Sequence, residues 1–379
     1  MSRKQNYGGF MQASIEELRT FIPEVGHRLT PIIQSEAGCG KTSILKMLKE
    51  DLGEDEYDYI YVDCPVKDYS DICMTIPNHD TKALESYVGA LFKLDSPKRK
   101  VILLDEFMKA PQMLKIIFTR LMLEREVGDI ALQVIFTRLM LERCVGDRKL
   151  PEGSIVFGTS NNQSDGLGDA MLAHAGNRVC IVQMKKPDAE EWLYWANANG
   201  VHPYVQTFVH EYQDCLASYL DGGQKDNPYI FNPQNPQLSF VSPRSLEKCS
   251  IIVEKRDILG ENMTMVALAG TIGASAAAQF SAMLQLGDRL PKFEDVLKRP
   301  MDIDIPDEVS AQLILMFQST NKIKTQEDCT NFMKFVQRIP QLETQAVFFG
   351  MALKNEKTKM IACKNKTITD WATINHFIY

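Results

Sequence analysis

Short apolar runs rich in β-branched residues recur through the first half of the chain. Four of them cover residues 29–33, 59–63, 101–104 and 155–158, and a fifth follows at 178–182. Helical patterns separate these runs, and strands that alternate with helices predict a parallel sheet covered by helices on both faces. Ligands of such sheets bind beside the carboxyl ends of the strands. We therefore expect the chemistry of this chain to lie just after the apolar runs.

The pattern becomes helical after the fifth run. Asp188 is suited to cap the first of these helices, and Glu191 follows three residues later, as in a capping box. Residues 221–237 are rich in Gly, Pro and Asn and predict an extended loop. The expected parts of the chain are an α/β domain at 1–186, a helical domain at 187–250 and a helical C-terminal extension at 251–379.

Composition and charge argue against several classes of protein, namely nonspecific nucleic-acid binders, membrane-surface proteins and secreted proteins. The formal net charge of −7 argues against nonspecific attraction to nucleic acid or to anionic membranes, although local basic patches remain open. The nine cysteines are scattered without a C-x-x-C pair, which favours reduced thiols in a cytoplasm. The N-terminal residues do not provide the apolar core of a secretory signal. We expect a cytoplasmic protein.

One uncharged segment, residues 262–287, is long enough to cross a bilayer. Its content of Ala, Gly, Ser, Thr and Gln favours a closely packed, buried helix over a membrane span. We therefore expect no membrane association.

The sequence also contains a short repeat. Residues 117–129 and 135–147 differ at one position, and their offset is 18 residues. Two copies are too few for a solenoid. A local duplication or a cloning artefact explains the repeat, and because 18 residues make about five helical turns, a lengthened helix would keep the same face toward the core.

Residues 35–43 read SEAGCGKTS and lie between an apolar run and a helical pattern. Glycines let backbone N–H groups approach phosphate oxygens, Lys41 can reach the β and γ oxygens, and Thr42 can hold Mg²⁺. Ser35 stands where the pattern G-x-x-x-x-G-K-[ST] has its first glycine. A chance glycine-rich turn is the alternative interpretation. The residues predicted to contact the nucleotide are Glu36, Ala37, Gly38, Cys39, Gly40, Lys41, Thr42 and Ser43.

The apolar run KVILL is followed directly by two acids. Asp105 is suited to bind Mg²⁺ through water, and Glu106 to polarise the attacking water as a general base. Such a pair is common on protein surfaces. The acidic pair indicates a nucleotide site only in combination with Lys41 and Thr42, because it follows them in the expected order and at the expected separation.

Three further polar residues are candidates for the same site. Asn161 ends the segment SIVFGTSN and could hydrogen-bond the attacking water or the γ-phosphate, with a turn cap as the alternative. Arg178 and Arg244 are candidates for neutralising transition-state charge. For either arginine, a solvated surface position is the alternative.

The segments SEAGCGKTS, VILLDEF, IVFGTSNN, NRVC and VSPRSLEK follow one another in an order that resembles the AAA+ ATPases. DEFMKAP and LERCVGDRKLPEG are similar to the MoxR-like branch, which occurs in bacteria and bacteriophages. The resemblance covers about residues 15–250. It implies an α/β P-loop domain with a helical lid at 187–250, and ATP and Mg²⁺ as ligands.

The resemblance also implies roles for individual residues. Lys41 and Thr42 become ligands of phosphate and magnesium, Asp105 and Glu106 the acidic pair, and Asn161 the first sensor of the nucleotide. Two arginines complete the set: Arg178 would act in trans as the finger of a neighbouring subunit's site, and Arg244 would be the second sensor, which ties the lid to the nucleotide.

An arginine supplied in trans implies a homo-oligomeric ring, typically of six subunits in such families. We expect an ATPase that remodels or activates a protein client together with a partner bearing a von Willebrand factor A domain, in a bacterial or phage-infected cytoplasm. Ile72, Met74 and Ile76 lie where such rings often place substrate-facing loops. Two other classes stay open: a DNA-directed motor or loader, and a nucleotide-binding scaffold with little turnover.

Overall fold

The computed structural model describes residues 12–80, 83–110, 150–162, 179–234 and 236–378. The chain divides into two compact units, Met1–Lys186 and Pro187–Tyr379. The repeat at 117–147 and the side chain of Arg178 lie outside the described residues, so the predictions about them stay predictions.

The first unit is built on a parallel sheet of six strands, in the order β1-β8-β2-β7-β6-β3. Strands β4 and β5 form a separate antiparallel pair. The predicted class, a P-loop-like α/β sheet followed by a helical region, is confirmed. The strands are β1 (Gln12–Ala13), β2 (Pro31–Ser35), β3 (Tyr57–Asp63), β4 (Cys73–Asn78), β5 (Ala83–Val88), β6 (Arg99–Asp105), β7 (Ile155–Asn161) and β8 (Cys180–Met184).

Alternate residues of each strand point to opposite faces of the sheet, and the residues on both faces are buried. Ile33, Leu103 and Phe157 pack in one buried cluster with helices α1 (Ile15–Val25) and α2 (Ser43–Leu52). Their immediate neighbours belong to a second cluster on the other face, which contains Ile32, Leu104 and Val156. The short helix α3 (Tyr69–Ile72) precedes β4.

The strands extend beyond the predicted apolar runs at several ends. The strand β2 continues to Ser35 and β7 to Asn161, because ladder hydrogen bonds are made by the backbone and tolerate polar side chains. The two-residue strand β1 and the β4–β5 hairpin were not predicted. The expectation that Ile72 contacts a partner is wrong, since its side chain is buried, whereas Met74 and Ile76 are exposed.

The described part of the second unit is helical, with three buried clusters of its own. Asp188 and Glu191 form the predicted capping box, and the described part of 221–237 contains neither helix nor strand. In the described part of the chain, no helix combines the length and apolarity that a bilayer crossing needs. The helices are α4 (Ala189–Ala198), α5 (Pro203–Glu211), α6 (Pro243–Glu254), α7 (Arg256–Ile272), α8 (Ala274–Gly287), α9 (Phe293–Lys298), α10 (Val309–Lys322), α11 (Gln326–Val336), α12 (Leu342–Lys354), α13 (Glu356–Cys363) and α14 (Lys366–Ile374).

The prediction of one buried helix over residues 262–287 is wrong. Gly273, with φ of 86°, separates α7 from α8, a conformation that glycine adopts without strain. Leu268 is buried, whereas Met263 and Val266 are 48% and 55% exposed. Only one face of the segment is therefore buried. Small uncharged residues are compatible with solvent as well as with packing, so their presence did not require burial on all sides.

The half-buried histidine His202 is expected to make the second unit sensitive to acid. Burial, with Arg256 nearby, lowers the pKa of His202 to about 4, and its Nδ1 accepts a hydrogen bond from the Tyr204 N–H at the start of α5. Because this pKa lies below the unfolded value of about 6.5, the stabilisation is complete above that pH and is lost as the pH falls toward 4. We expect the unfolding free energy to drop by about 3 kcal/mol through this group as the pH falls from 6.5 to 4.

Urea unfolding at several pH values measures this loss. His202→Asn keeps a capping side chain that does not titrate, so its stability should depend less on pH between about 6.5 and 4. His376→Asn is the control, because His376 is exposed. Equal pH profiles for all three proteins would contradict the prediction.

Candidate nucleotide-binding site

The register of the parallel strands places the predicted site residues at one edge of the sheet. Ser35 at the end of β2 pairs with Asn161 at the end of β7, and Asp63 at the end of β3 pairs with Asp105 at the end of β6. The strand β7 lies between β2 and β6. Asn161 therefore lies between the glycine-rich loop and the acidic pair.

The loop between β2 and α2 has the backbone of a phosphate cradle. Gly38 and Gly40 have φ of 78° and 90°, values at which other residues are strained. The helix α2 begins directly after the loop, at Ser43, so the positive end of its dipole lies beside the loop. A helix start of this kind favours an anion.

The ammonium group of Lys41 is buried in this loop and is surrounded by oxygen atoms. Its Nζ donates to the Ser35 carbonyl at 3.0 Å, the Ser35 hydroxyl at 3.1 Å and the Glu36 carbonyl at 3.0 Å. It also donates to Asn161 Oδ1 at 2.9 Å. We call Ser35, Glu36 and Asn161 the lysine cage.

The carboxylate of Asp105 accepts hydrogen bonds from three hydroxyl groups. Thr42 Oγ1 donates to Oδ2 at 3.1 Å, the Tyr61 hydroxyl donates to Oδ2 at 2.9 Å, and Thr159 Oγ1 donates to Oδ1. Burial, with Asp105 as acceptor, raises the pKa of Tyr61 and keeps it a donor. The Thr42 hydroxyl and the Asp105 carboxylate are hard oxygen donors, and this pair fits Mg²⁺.

Glu106 follows β6 in a left-handed conformation, with φ of 49° and ψ of 38°. This backbone costs a non-glycine residue about 1 kcal/mol and directs the side chain away from the strand direction. Its Oε1 lies 3.5 Å from Asn161 Nδ2, and its Oε2 accepts a hydrogen bond from Lys109 Nζ at 2.7 Å. The Glu106 N–H donates to Thr159 Oγ1 at 3.3 Å. Asn161 thus contacts both Lys41 and Glu106.

A buried ion pair lies under the start of the loop. Lys186 Nζ is 3.5 Å from Glu36 Oε2, and the two side chains are 5% and 8% exposed. Burial, together with the Glu36 carboxylate, raises the pKa of Cys39 to about 12, so this thiol stays protonated and inert.

Loss of one partner of this pair leaves the other charge buried. We expect Lys186→Met to lower the unfolding free energy by about 3 kcal/mol, and the added change Glu36→Gln to recover much of the loss. Urea unfolding of both variants measures this. Lys46→Met, in an exposed pair with Glu50, is the control and should have little effect. A single variant as stable as the double variant would contradict the prediction.

The structure brings Lys41, Thr42, Asp105, Glu106 and Asn161 into one hydrogen-bond network. Their chemical roles remain predictions, as does that of Arg244, which is exposed in the first turn of α6 in the second unit.

Sequence reasoning missed four side chains that contact the network or the lysine cage. Lys109 could have been found from its i+3 spacing to Glu106, and Thr159 from its place two residues before Asn161, on the same face of a strand. Tyr61 and Lys186 carry no local signal, since their contacts depend on which strands are neighbours.

One comparison with known proteins agrees with a P-loop class. A sequence model of the viral superfamily 1 RNA helicase core domain matches residues 32–124, less than half of the chain. A search of curated proteins found no match.

Three solved structures illustrate the level of structural likeness. A crystal structure of a "putative ATPase" from Cytophaga hutchinsonii is 12% identical, with a TM-score of 0.31, and the match covers 76% of this chain and 89% of that one. NtrX from Brucella abortus is 12% identical, with a TM-score of 0.32 and coverage of 98% and 70%. NtrX in complex with ADP is 13% identical, with a TM-score of 0.31 and coverage of 91% and 67%. Likenesses at this level identify no family.

The class follows from the sheet and from the side chains at its edge. A glycine-rich loop that leads into a helix, with Lys41 and Thr42 at its end and Asp105 beside them, defines a P-loop NTPase. Its fold is that of proteins that bind nucleotides through their phosphates.

Proposed function

We propose that this protein hydrolyses ATP with Mg²⁺ and that the reaction takes place at the edge formed by β2, β7 and β6. The observation that supports this most directly is the position of Asn161, whose amide contacts both the phosphate-binding lysine and the proposed base. Binding and catalytic groups are therefore linked by a single side chain.

The loop residues bind and orient the triphosphate. The backbone N–H groups of the glycine-rich loop would donate to its oxygen atoms, and Lys41 would neutralise charge on the β and γ phosphates. Thr42 and Asp105 would hold Mg²⁺, which would supply positive charge that stabilises the phosphates during the reaction.

Glu106 orients the attacking water and accepts its proton. Asn161 Nδ2 lies 3.5 Å from the same carboxylate and would help to orient it. Lys109 pairs with Oε2 of Glu106, so we assign proton acceptance to Oε1, the oxygen that lies 3.5 Å from Asn161 Nδ2. The γ-phosphate leaves as inorganic phosphate, and ADP remains in the loop.

The assembly we propose is an oligomeric AAA+ ring of the MoxR-like branch, of six subunits, in which Arg178 enters a neighbouring site. The ring remodels or activates a protein client in the cytoplasm, with a partner that bears a von Willebrand factor A domain. Support comes from the order of the motifs and from Met74, Ile76 and Tyr87, whose large side chains are exposed on the β4–β5 hairpin. Met74 and Tyr87 are opposite each other in register.

A second candidate is a motor that acts on nucleic acid. The observation that favours it is the match of residues 32–124 to a viral RNA helicase core. The net charge of −7 argues against a large positively charged surface, which binding of a nucleic acid would favour.

Steady-state ATP hydrolysis tests these alternatives. We expect turnover in Mg²⁺ that EDTA abolishes, that rises cooperatively with protein concentration, and that single-stranded RNA or DNA leaves unchanged. Stimulation by nucleic acid would favour the motor. Nucleotide binding without turnover at any concentration would replace the ATPase with a scaffold controlled by nucleotide.

A further inference from the structure

Ser35 occupies a position at which the P-loop pattern has glycine, and its side chain contacts the key lysine. It is the last residue of β2 and is 1% exposed. Its hydroxyl donates to the Glu36 carbonyl at 3.1 Å and accepts from Lys41 Nζ at 3.1 Å. A glycine at this position would leave Lys41 without this acceptor.

Lys41 cannot satisfy the cage and a triphosphate at the same time. An ammonium group has three N–H donors, and here Nζ lies within 3.1 Å of four protein oxygens. Hydrogen bonds between a charged donor and fixed acceptors in a buried site are strong. The β and γ phosphates must therefore replace some of these acceptors.

The cage holds its shape because its members lie on rigid or anchored segments. Ser35 and Asn161 end neighbouring strands and pair with each other in register. The carboxylate of Glu36 pairs with buried Lys186, so the Glu36 carbonyl is also fixed. Lys41 thus has a preformed alternative to the phosphate oxygens, and Ser35 strengthens it.

We propose that Ser35 sets the nucleotide affinity of this P-loop, because its hydroxyl competes with the β and γ phosphates for Lys41. This inference rests on the proposed function of the loop as a nucleotide site. A cage-bound Lys41 reduces the fraction of molecules that are ready to bind, and the apparent affinity falls by that fraction. The effect concerns only ligands whose phosphates Lys41 reaches.

The test compares Ser35→Ala with Ser160→Ala in the full-length chain. Ser160 is the matched control: it is also buried near the end of a strand, and its hydroxyl also donates to the next residue's carbonyl, at 3.1 Å. Within the described residues, the Ser160 hydroxyl is hydrogen-bonded to the Asn161 carbonyl and makes no hydrogen bond with Lys41. Equilibrium binding of ATP, ADP and AMP is measured for each protein, together with KM and kcat for ATP.

We expect Ser35→Ala to bind ATP and ADP roughly 5- to 10-fold more tightly than the unsubstituted protein, with AMP affinity unchanged. KM should fall by a similar factor while kcat stays within about twofold. Ser160→Ala should match the unsubstituted protein. Ser35→Gly, which also removes the hydroxyl, should reproduce the effect if the alanine variant folds poorly.

Unchanged or weaker ATP binding in folded Ser35→Ala and Ser35→Gly would overturn the inference. An equal gain for AMP would also overturn it, because a general loosening of the loop, and not release of Lys41, would then be the cause. Failure of the proposed function looks different, since the unsubstituted protein itself would then show no nucleotide binding or no turnover.

Discussion

Glu106→Gln is expected to lower the kcat of ATP hydrolysis by about 10²- to 10⁴-fold, the usual contribution of a general base. Glutamine preserves the size of the side chain and its contact with Asn161, but it cannot accept the proton of the attacking water. Nucleotide affinity should change little, because phosphate binding is assigned to the loop around Lys41. Single-turnover kinetics and equilibrium ATP binding measure the two quantities separately.

The control for this substitution is Glu50→Gln. Glu50 is exposed on α2, and its charge is lost without any contact to the site. It should turn over ATP like the unsubstituted protein. If Glu106→Gln also retains kcat, the water is activated by another group, and the assignment of the base is wrong.

Arg178→Ala is expected to lower kcat by about 10³-fold or more, the usual contribution of an arginine finger. Because the finger enters a neighbouring site, two inactive variants should complement each other. In a mixture of Arg178→Ala and Glu106→Gln, a site with intact Glu106 sometimes receives an intact arginine from its neighbour. An equal mixture should recover about a quarter of the activity if subunits assemble at random.

A second mixture is the control for complementation. Lys41→Ala and Glu106→Gln both damage the part of the site that one subunit contributes alone, so their mixture should stay inactive. Turnover by Arg178→Ala alone would exclude the finger role. If both single variants are inactive and the first mixture is inactive as well, the site does not receive Arg178 from a neighbour.

The parts of the site that the sequence predicts are those whose residues are close together in the sequence. Lys41 and Thr42 follow glycines at fixed spacing, and Asp105 and Glu106 follow an apolar strand, so each pattern could be read without the fold. The parallel sheet was predictable for the same reason, since its strands and helices differ in period.

The remaining features depend on which strands are neighbours, and local patterns do not specify this. The contact of Tyr61 with Asp105 requires β3 beside β6, and the cage around Lys41 requires β7 beside β2. The β4–β5 hairpin was missed because it contains Pro77 and several polar residues, which are poor strand formers. The hairpin forms through pairing of β4 with β5, which the sequence pattern of either strand alone does not reveal.

The strand order has a consequence for how this protein folds. The site joins residues as far apart as Ser35 and Asn161, so it exists only after β2, β7, β6 and β3 have paired. Such long-range pairing is slow, because the entropy of bringing distant segments together is lost before their contacts stabilise the chain. A nucleotide that binds only the paired sheet will stabilise the first unit by an amount that grows with the logarithm of its concentration above the dissociation constant, so we expect ATP to act as a folding ligand as well as a substrate.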